Sequence, residues 1–162
     1  MTGNYRKHFG LYTVSGILYN HESPRRGLEF VSRKISHGAA QIKLGLADKL
    51  ILGSLDAVRD WGFAGDYVRA MWLMLQLGKA DDYVIGTGIP HTVREFCEVA
   101  FSTLDLDYRD YVVVDPALVR PEEEFPLVAD PSYAKRILGW QSDTSFKRLV
   151  QMMVEADLQA LV

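Results

Sequence analysis

The sequence predicts an α/β fold that forms a single unit over residues 1–162. Strand-like runs of apolar, β-branched and aromatic residues alternate with longer runs of helical periodicity, which is typical of architectures with some parallel strand pairing. No linker, internal repeat or low-complexity tract divides the chain. Since 48% of the residues are hydrophobic, a chain of this length can bury a sizeable core.

The first half of the chain alternates strand and helix candidates. Residues 11–19 (LYTVSGILY) are mostly apolar, which predicts a strand buried on both faces. Residues 30–44 have helical periodicity, and DKLILGS follows as a short strand ending at Gly53. AGDYVRAMWLMLQLGK is apolar on most faces, which predicts a well-buried helix ending at Gly78. DYVIGTG is another short strand that enters a glycine turn.

The second half has clearer helix boundaries. Thr92 and Glu95 form a T-x-x-E capping box ahead of apolar residues at helical spacing, which predicts a helix. YVVVD is a strand candidate, whereas the prolines in PALVRPEEEFP interrupt any regular element. Asp130 is the predicted N-cap of a short helix that ends at Gly139. An amphipathic helix is predicted for residues 145–162.

Composition excludes several classes of protein. The formal net charge of −3 argues against a general nucleic-acid binder, because phosphate backbones are held by broad basic surfaces. The single cysteine, Cys97, excludes an internal disulfide and a multi-cysteine metal site. No signal-type segment or apolar run of about 20 residues occurs. We therefore expect a cytoplasmic protein that binds neither nucleic acid nor membranes.

The stretch YNHESPRRG is the first candidate binding segment. It directly follows a predicted strand, and open α/β sheets bind ligands at the carboxyl ends of their strands. Arg25 and Arg26 offer the planar fork of donors that suits phosphate. The alternative is a solvated surface loop, which the spacing alone favours.

Two further segments carry arginine beside acidic residues. In LDAVRDWG, Arg59 either contacts a diphosphate or forms a local ion pair with Asp60 beside a core tryptophan. In VRPEEEF, Arg120 and Glu123 suit a diphosphate and a ribose hydroxyl, although an acidic run is more often a solvated face.

Other candidate residues have ordinary structural explanations. Lys34 stands at the start of a helix like a phosphate contact, yet most helical lysines are exposed. His37 and His91 are isolated, so a metal site is not predicted. Met71 and Met74 belong to an apolar helix and are expected in the core.

Six blocks of sequence resemble the C-terminal half of the GDP-mannose 4,6-dehydratases, which are NADP-dependent lyases of the extended short-chain dehydrogenase/reductase (epimerase/dehydratase) group. The blocks are GILYNHESPRRG, FVSRKI, IKLGLADKLILGSLDAVRDWGFAGDYVRAMWLMLQ, TVREF, RPEE and DPSYAKRILGW. The resemblance implies the last strands of a Rossmann-like sheet plus a small C-terminal α/β substrate-binding domain. It also implies conversion of GDP-mannose to GDP-4-keto-6-deoxy-mannose, a step towards GDP-fucose and other deoxysugars.

The resemblance implies a role for each matching residue. His21 and Arg26 match residues that contact NADP, and Arg25 lies in the loop that also reaches a neighbouring subunit's cofactor region. The other matches concern GDP-mannose: Asn20 near the sugar diphosphate, Val31 and Lys34 on the nucleotide wall, Arg59 and Arg120 on the diphosphate, and Glu123 on the ribose.

The motifs that carry catalysis in this family are missing from the sequence. No glycine-rich dinucleotide fingerprint is present, and none of the eight tyrosines is followed by lysine at the fourth position. NYRKHFG resembles the end of the helix that carries this Tyr and Lys. We therefore expect a truncated protein that retains the substrate-binding half and is inactive alone. The alternative is a non-catalytic nucleotide-sugar-binding or oligomerisation module.

Two local departures from the family pattern affect binding and packing. The usual RDWGHAKDYV is RDWGFAGDYV here, with Phe63 and Gly65, and RPTEVD is RPEEEF. The added charges of Glu122 and Glu124 would oppose a diphosphate. Because the first strand lacks most of its sheet, we expect an exposed edge that favours a homo-oligomer or an N-terminal-half partner.

Overall fold

The computed structural model describes residues 1–119 and 127–162. The elements of the first part are α1 (Thr2–Phe9), β1 (Ser15–Leu18), β2 (Asn20–Glu22), α2 (Val31–Lys43), β3 (Leu50–Leu52), β4 (Val58–Arg59), β5 (Trp61–Phe63) and α3 (Ala64–Met74). The second part contains β6 (Asp82–Ile85), β7 (His91–Thr92), α4 (Val93–Ser102), α5 (Tyr108–Tyr111), β8 (Val112–Val114), a 3₁₀ turn (Pro116–Leu118), α6 (Ser132–Leu138) and α7 (Phe146–Leu161).

Parallel pairing dominates the short strands. β1 pairs with β6, β2 with β5 and β3 with β8, all in parallel, while β4 and β7 pair antiparallel. β1 and β2 are nearly continuous, and between them the N–H of Tyr19 donates to the carbonyl of Ile85 at 2.9 Å. The chain therefore pairs first with β6 and then with β5, and residues 23–27 follow at the carboxyl end of β2.

The larger apolar cluster lies among α2, α4 and α7. Its fully buried members include Ile35, Phe96, Phe101, Leu149 and Met153. The capping box predicted for α4 is confirmed, because the Thr92 side chain accepts from the Glu95 N–H and the Glu95 side chain accepts in return. The predicted α2 and α7 helices are also confirmed.

The second apolar cluster covers one face of the β1–β6 pair. Tyr67 and Met74 of α3 pack there with Tyr83 and with Trp140, which follows α6. Helix α6 ends as predicted at Gly139, whose φ of 63° is in the left-handed region that favours glycine. The prediction that Asp130 is the N-cap is wrong by one residue, because the helix begins at Ser132 with Pro131 at the N-cap. Asp130 Oδ1 accepts from the Ser132 N–H at 3.0 Å.

The prediction that residues 11–19 form a strand buried on both faces is wrong. The strand begins only at Ser15, and Ile17 is 55% exposed. The side chain of Met74 lies against Gly16, so α3 covers the face of the strand opposite to Ile17. Within the described residues the β1–β6 pair is covered on one face only.

The prediction of a well-buried α3 is also wrong. Val68 and Trp72 are each 61% exposed, and Met71 is 41% exposed. Met74 is buried as expected, because it lies on the face of α3 that packs on the sheet. The helix ends at Met74, with Leu75 as its C-cap, and does not extend to Gly78. Helix α3 is therefore apolar on most sides, but only one of its faces is buried and the other apolar face is exposed.

The described helices also bear on membrane insertion. None of them combines the length and the apolar character needed to cross a bilayer.

Candidate functional site

The segment that follows β2 forms a tight turn, which we call the arginine loop (residues 23–27). The N–H of Arg26 donates to the Ser23 carbonyl at 2.9 Å, and the N–H of Arg25 donates to Ser23 Oγ at 3.1 Å. Pro24 stands between them, where its fixed φ favours a turn. The loop is thus ordered by its own backbone and by a local hydroxyl.

Glu22 anchors one side of the arginine loop. Its carboxyl is 1% exposed and accepts a hydrogen bond of 2.5 Å from Ser32 Oγ, in the first turn of α2. Burial raises the pKa of Glu22 above its ordinary value, while the Ser32 hydrogen bond and the positive charge of Arg26 act in the opposite direction. The interpretation of YNHESPRRG as a purely solvated loop is therefore incomplete, because its single acidic residue, Glu22, is buried.

The two arginines have different surroundings. Arg26 Nε lies 3.4 Å from Glu22 Oε2, and its guanidinium carbon lies 3.6 Å above the ring centre of Phe30. This Nε is buried and makes no hydrogen bond with any residue in the described ranges. Arg25 is exposed. The loop therefore presents one solvated cation beside one that is held on an aromatic ring.

His21 and Asn20 occupy consecutive positions on β2. His21 Nδ1 lies 2.9 Å from the carbonyl of Tyr19, so in the neutral ring this nitrogen carries the proton and Nε2 accepts. The His21 ring centre is 5.6 Å from that of Tyr67, a buried tyrosine whose pKa is raised chiefly by burial. Asn20 pairs in register with Trp61 of β5.

The start of α2 brings Val31 and Lys34 next to the arginine loop. Val31 is the first residue of the helix, and the N–H of Lys34 donates to the carbonyl of Phe30. Lys34 is exposed. Between them, Arg33 donates to backbone carbonyls of the arginine loop. Sequence reasoning missed Arg33, because its acidic partner lies 124 residues further along the chain.

Arg59 and Asp60 make different contacts at the junction of β4 and β5. Arg59 Nη1 donates to the Val58 carbonyl at 2.7 Å. The Asp60 carboxylate is fully buried and accepts hydrogen bonds from Thr87, Gly88 and the N–H of Ala129. Asp60 therefore fixes the turn after β6, a role that the alternative of a local ion pair with Arg59 did not anticipate.

Arg120 and Glu123 lie outside the described residues, as do Glu122 and Glu124. Where the description resumes, Leu127 forms an isolated parallel bridge with Arg59. Of the nine predicted binding residues, seven are therefore placed. They lie on β2, the arginine loop, the start of α2 and β4.

Phe63 and Gly65 lie close together at the start of α3. A Cβ added to Gly65 would overlap the ring of Phe63. The aromatic ring thus occupies the space that a larger residue at position 65 would need.

None of the seven placed residues is among the residues that line a cavity of about 400 Å³. It lies between the two apolar clusters, with Trp61, His91, Trp140 and Phe146 among its lining residues. The His91 ring stacks on Phe146 at 3.8 Å, and its Nδ1 lies 2.8 Å from Glu95 Oε2.

His37, the other isolated histidine of the sequence analysis, has its Nδ1 3.6 Å from Asp157. Within residues 1–119 and 127–162, no group of three or more His, Cys, Asp or Glu could hold a metal ion.

The family model and the similar sequences agree on one family. The family described as GDP-mannose 4,6 dehydratase matches residues 1–153. GDP-mannose 4,6 dehydratase 2 of Arabidopsis thaliana is 55% identical over 158 residues, which are 98% of this chain and 42% of the relative. GDP-mannose 4,6-dehydratase of Vibrio cholerae serotype O1 is 41% identical over 98% of this chain and 50% of the relative. The chain thus spans about half the length of these relatives.

Comparison with solved structures confirms the fold. RMD from Pseudomonas aeruginosa, complexed with NADPH, superposes with a TM-score of 0.89 at 20% identity, over 98% of this chain and 52% of that one. dTDP-glucose 4,6-dehydratase from Bacillus anthracis, in complex with NAD, gives 0.80 at 20% identity, over 96% and 47%. The predicted α/β fold, as part of a Rossmann-like protein with its C-terminal region, is therefore confirmed.

Proposed function

Because this chain belongs to the GDP-mannose 4,6 dehydratase family, we propose that it is the GDP-mannose-binding half of such a dehydratase and is inactive alone. The observation that carries the proposal is the position of the arginine loop at the carboxyl end of β2, with Asn20 on the same strand and the start of α2 hydrogen-bonded to Glu22 and to the loop. Open α/β sheets bind nucleotides at this edge.

The charges at this edge suit a sugar nucleotide. Asn20 is the first residue of β2, and Arg59 stands two residues before Trp61, the register partner of Asn20. A guanidinium there would bind a diphosphate oxygen, while Val31 and the stem of Lys34 would form a wall for the base. Arg120 would supply a second cation for the diphosphate, and Glu123 an acceptor for a ribose hydroxyl. These assignments rest on the match to the family motif.

The arginine loop fits one end of a phosphate-bearing cofactor such as NADP. His21 offers Nε2, and Arg25 offers an exposed guanidinium. In its described contacts, Arg26 uses Nε towards Glu22 and the face of the guanidinium towards Phe30. Its Nη1 and Nη2 would therefore be the atoms that donate to a phosphate oxygen. The cofactor supplies the hydride acceptor of the dehydration, and we propose that this half only binds and orients part of it.

Catalysis would need groups that this sequence does not contain. The chain has no Tyr-x-x-x-Lys pair and no glycine-rich fingerprint, so the acid, base and main cofactor-binding groups would come from an N-terminal half. We propose that such a half pairs along the edge of β1 opposite to β6, because β1 has no second partner strand among the described residues.

Isothermal titration with GDP-mannose tests the binding proposal. The chain should bind, and both Arg59→Ala and Arg120→Ala should weaken binding by about tenfold or more, since each removes a charge-assisted contact. Arg109→Ala is the matched control, because Arg109 is 74% exposed and pairs locally with Asp107. Absence of binding at millimolar ligand, or equal loss in all variants, would contradict the proposal.

Mixing the chain with an N-terminal half of a relative tests the catalytic part. We expect conversion of GDP-mannose only in the mixture. Turnover by the isolated chain would refute the argument from the missing Tyr and Lys.

The second candidate is a non-catalytic oligomerisation or nucleotide-sugar-binding module. It is favoured by the exposed apolar face of α3, where Val68, Trp72 and Leu75 lie at helical spacing. Binding of GDP-mannose without activity in the mixture would support this module, as would self-association without binding.

A further inference from the structure

The guanidinium of Arg33 connects the C-terminal helix to the arginine loop. Its Nε donates to Asp157 Oδ1 and Oδ2 at 2.8 and 3.0 Å, and its Nη2 lies 2.6 Å from Asp157 Oδ1. Its Nη1 donates to the carbonyls of Pro24 and Arg26, at 2.6 and 2.8 Å. One side chain thus bridges α7, α2 and the loop.

Asp157 is buried in a setting that suits a charged carboxylate. It is 1% exposed, and Ser36 Oγ donates to its Oδ2 at 2.6 Å. His37 Nδ1 lies 3.6 Å from Oδ1. A buried carboxylate is costly unless it is paired and hydrogen-bonded. The forked contact with Arg33 and the hydroxyl of Ser36 meet both requirements, so the position of Arg33 is closely defined.

We propose that Asp157 and Arg33 are positioning residues that set the conformation of the arginine loop, so that Arg25 and Arg26 are presented to a phosphate-bearing ligand. This inference rests on the proposed function for the role of the two loop arginines. Joining α7 to α2 requires only the contact between Arg33 and Asp157. The two bonds from Nη1 go instead to the loop, and they hold the Pro24 and Arg26 carbonyls towards α2.

A second tether acts beside the first. Ser32, the neighbour of Arg33, donates to Glu22 at the start of the loop, and Glu22 in turn pairs with Arg26. Both tethers come from the first turn of α2, which also carries the exposed Lys34. The loop, Lys34 and the C-terminal helix therefore form one positioned unit, although only the loop and Lys34 face a ligand in the proposed function.

Hydrogen–deuterium exchange on the full chain tests the positioning role without any ligand. Asp157→Asn should make the amides of residues 25–30 exchange about tenfold faster, the factor expected for losing a charge-assisted hydrogen bond. Arg33→Lys should act in the same way, because one ammonium cannot serve both Asp157 and the two carbonyls. Glu155→Gln is the matched control, since Glu155 lies on α7 and pairs with the exposed Arg148.

The amides of α4 report whether an effect is local. Faster exchange in the loop with unchanged exchange in α4 supports the proposal. Unchanged loop exchange, or equal acceleration in the loop and in α4, would overturn it, because the pair would then serve only general stability.

Titration with GDP-mannose and NADP supplies the functional readout. Asp157→Asn should weaken binding about tenfold relative to Glu155→Gln. Unchanged affinity together with faster loop exchange would overturn the positioning role. If the unmodified chain bound neither compound, the proposed function would fail, whereas the exchange experiment would still decide whether Asp157 and Arg33 hold the loop.

Discussion

Asp60 and Thr87 are joined by two hydrogen bonds to one carboxylate oxygen: Asp60 Oδ1 accepts from the Thr87 N–H at 2.9 Å and from its hydroxyl at 2.6 Å. The other oxygen, Oδ2, accepts from the N–H groups of Gly88 and Ala129, at 2.9 and 3.1 Å. This buried carboxylate ties β5 to the turn after β6 and to the chain that leads into α6. The candidate arginine, Arg59, is its neighbour in sequence.

Asp60→Asn should destabilise the protein by about 2–4 kcal/mol. Either orientation of the amide places its NH₂ group against N–H donors and leaves buried donors without an acceptor. Urea unfolding followed by circular dichroism measures the loss. Asp143→Asn is the control, because Asp143 forms an exposed pair with Arg69, and such pairs contribute at most about 1 kcal/mol. Equal effects of the two substitutions would contradict the role assigned to Asp60.

Glu22→Gln should make stability less dependent on pH in the weakly acidic range. Burial raises the pKa of Glu22 above 4.5 in the folded protein, so between 4.5 and the raised pKa the folded state binds more protons than the unfolded state. The contribution of Glu22 to stability therefore falls as pH rises through this window. Glu22→Gln should gain stability relative to the unmodified chain as pH increases.

Urea unfolding at several pH values between 4.5 and 7.5 measures this difference. Glu98→Gln is the control, since Glu98 is exposed, and its profile should run parallel to that of the unmodified chain. A parallel profile for Glu22→Gln as well would show that the carboxyl does not titrate as proposed.

Gly65→Ala should have a different effect in the presence and absence of the Phe63 ring. Alanine favours helix over glycine by about 0.5–1 kcal/mol, so the change should stabilise α3 in a Phe63→Ala background. With Phe63 present the new Cβ would displace the ring, and the gain should vanish or reverse. A double-mutant cycle from thermal unfolding should give a coupling of about 1 kcal/mol. Additive effects would mean that the ring moves away without cost.

Trp72→Gln should reduce self-association. Trp72 is 61% exposed on the apolar face of α3, and large exposed apolar patches favour association. Sedimentation velocity should give a mass above that of one chain for the unmodified protein and a lower value for the variant. Leu46→Gln provides the control, because Leu46 is also 61% exposed but lies outside α3. A sharp monomer for the unmodified chain would contradict the proposed oligomer.

Local sequence signals predicted much of the fold. The Thr92–Glu95 capping box located the start of α4, and Gly139 located the end of α6, because both signals act within a few residues. Burial was predicted less well. The apolar sequence of α3 does not reveal that only one face packs on a sheet, since exposure depends on which elements lie nearby.

The family, the longer helices, several strands and an arginine-rich turn after a strand could be predicted from the sequence, because these features depend on short motifs and on apolar periodicity. The contacts that hold this turn could not be predicted in the same way. Arg33 meets Asp157 across 124 positions, and Asp60 meets Ala129 across 69. Such partners depend on how α2, α7 and the short strands pack together, and no local pattern records that geometry.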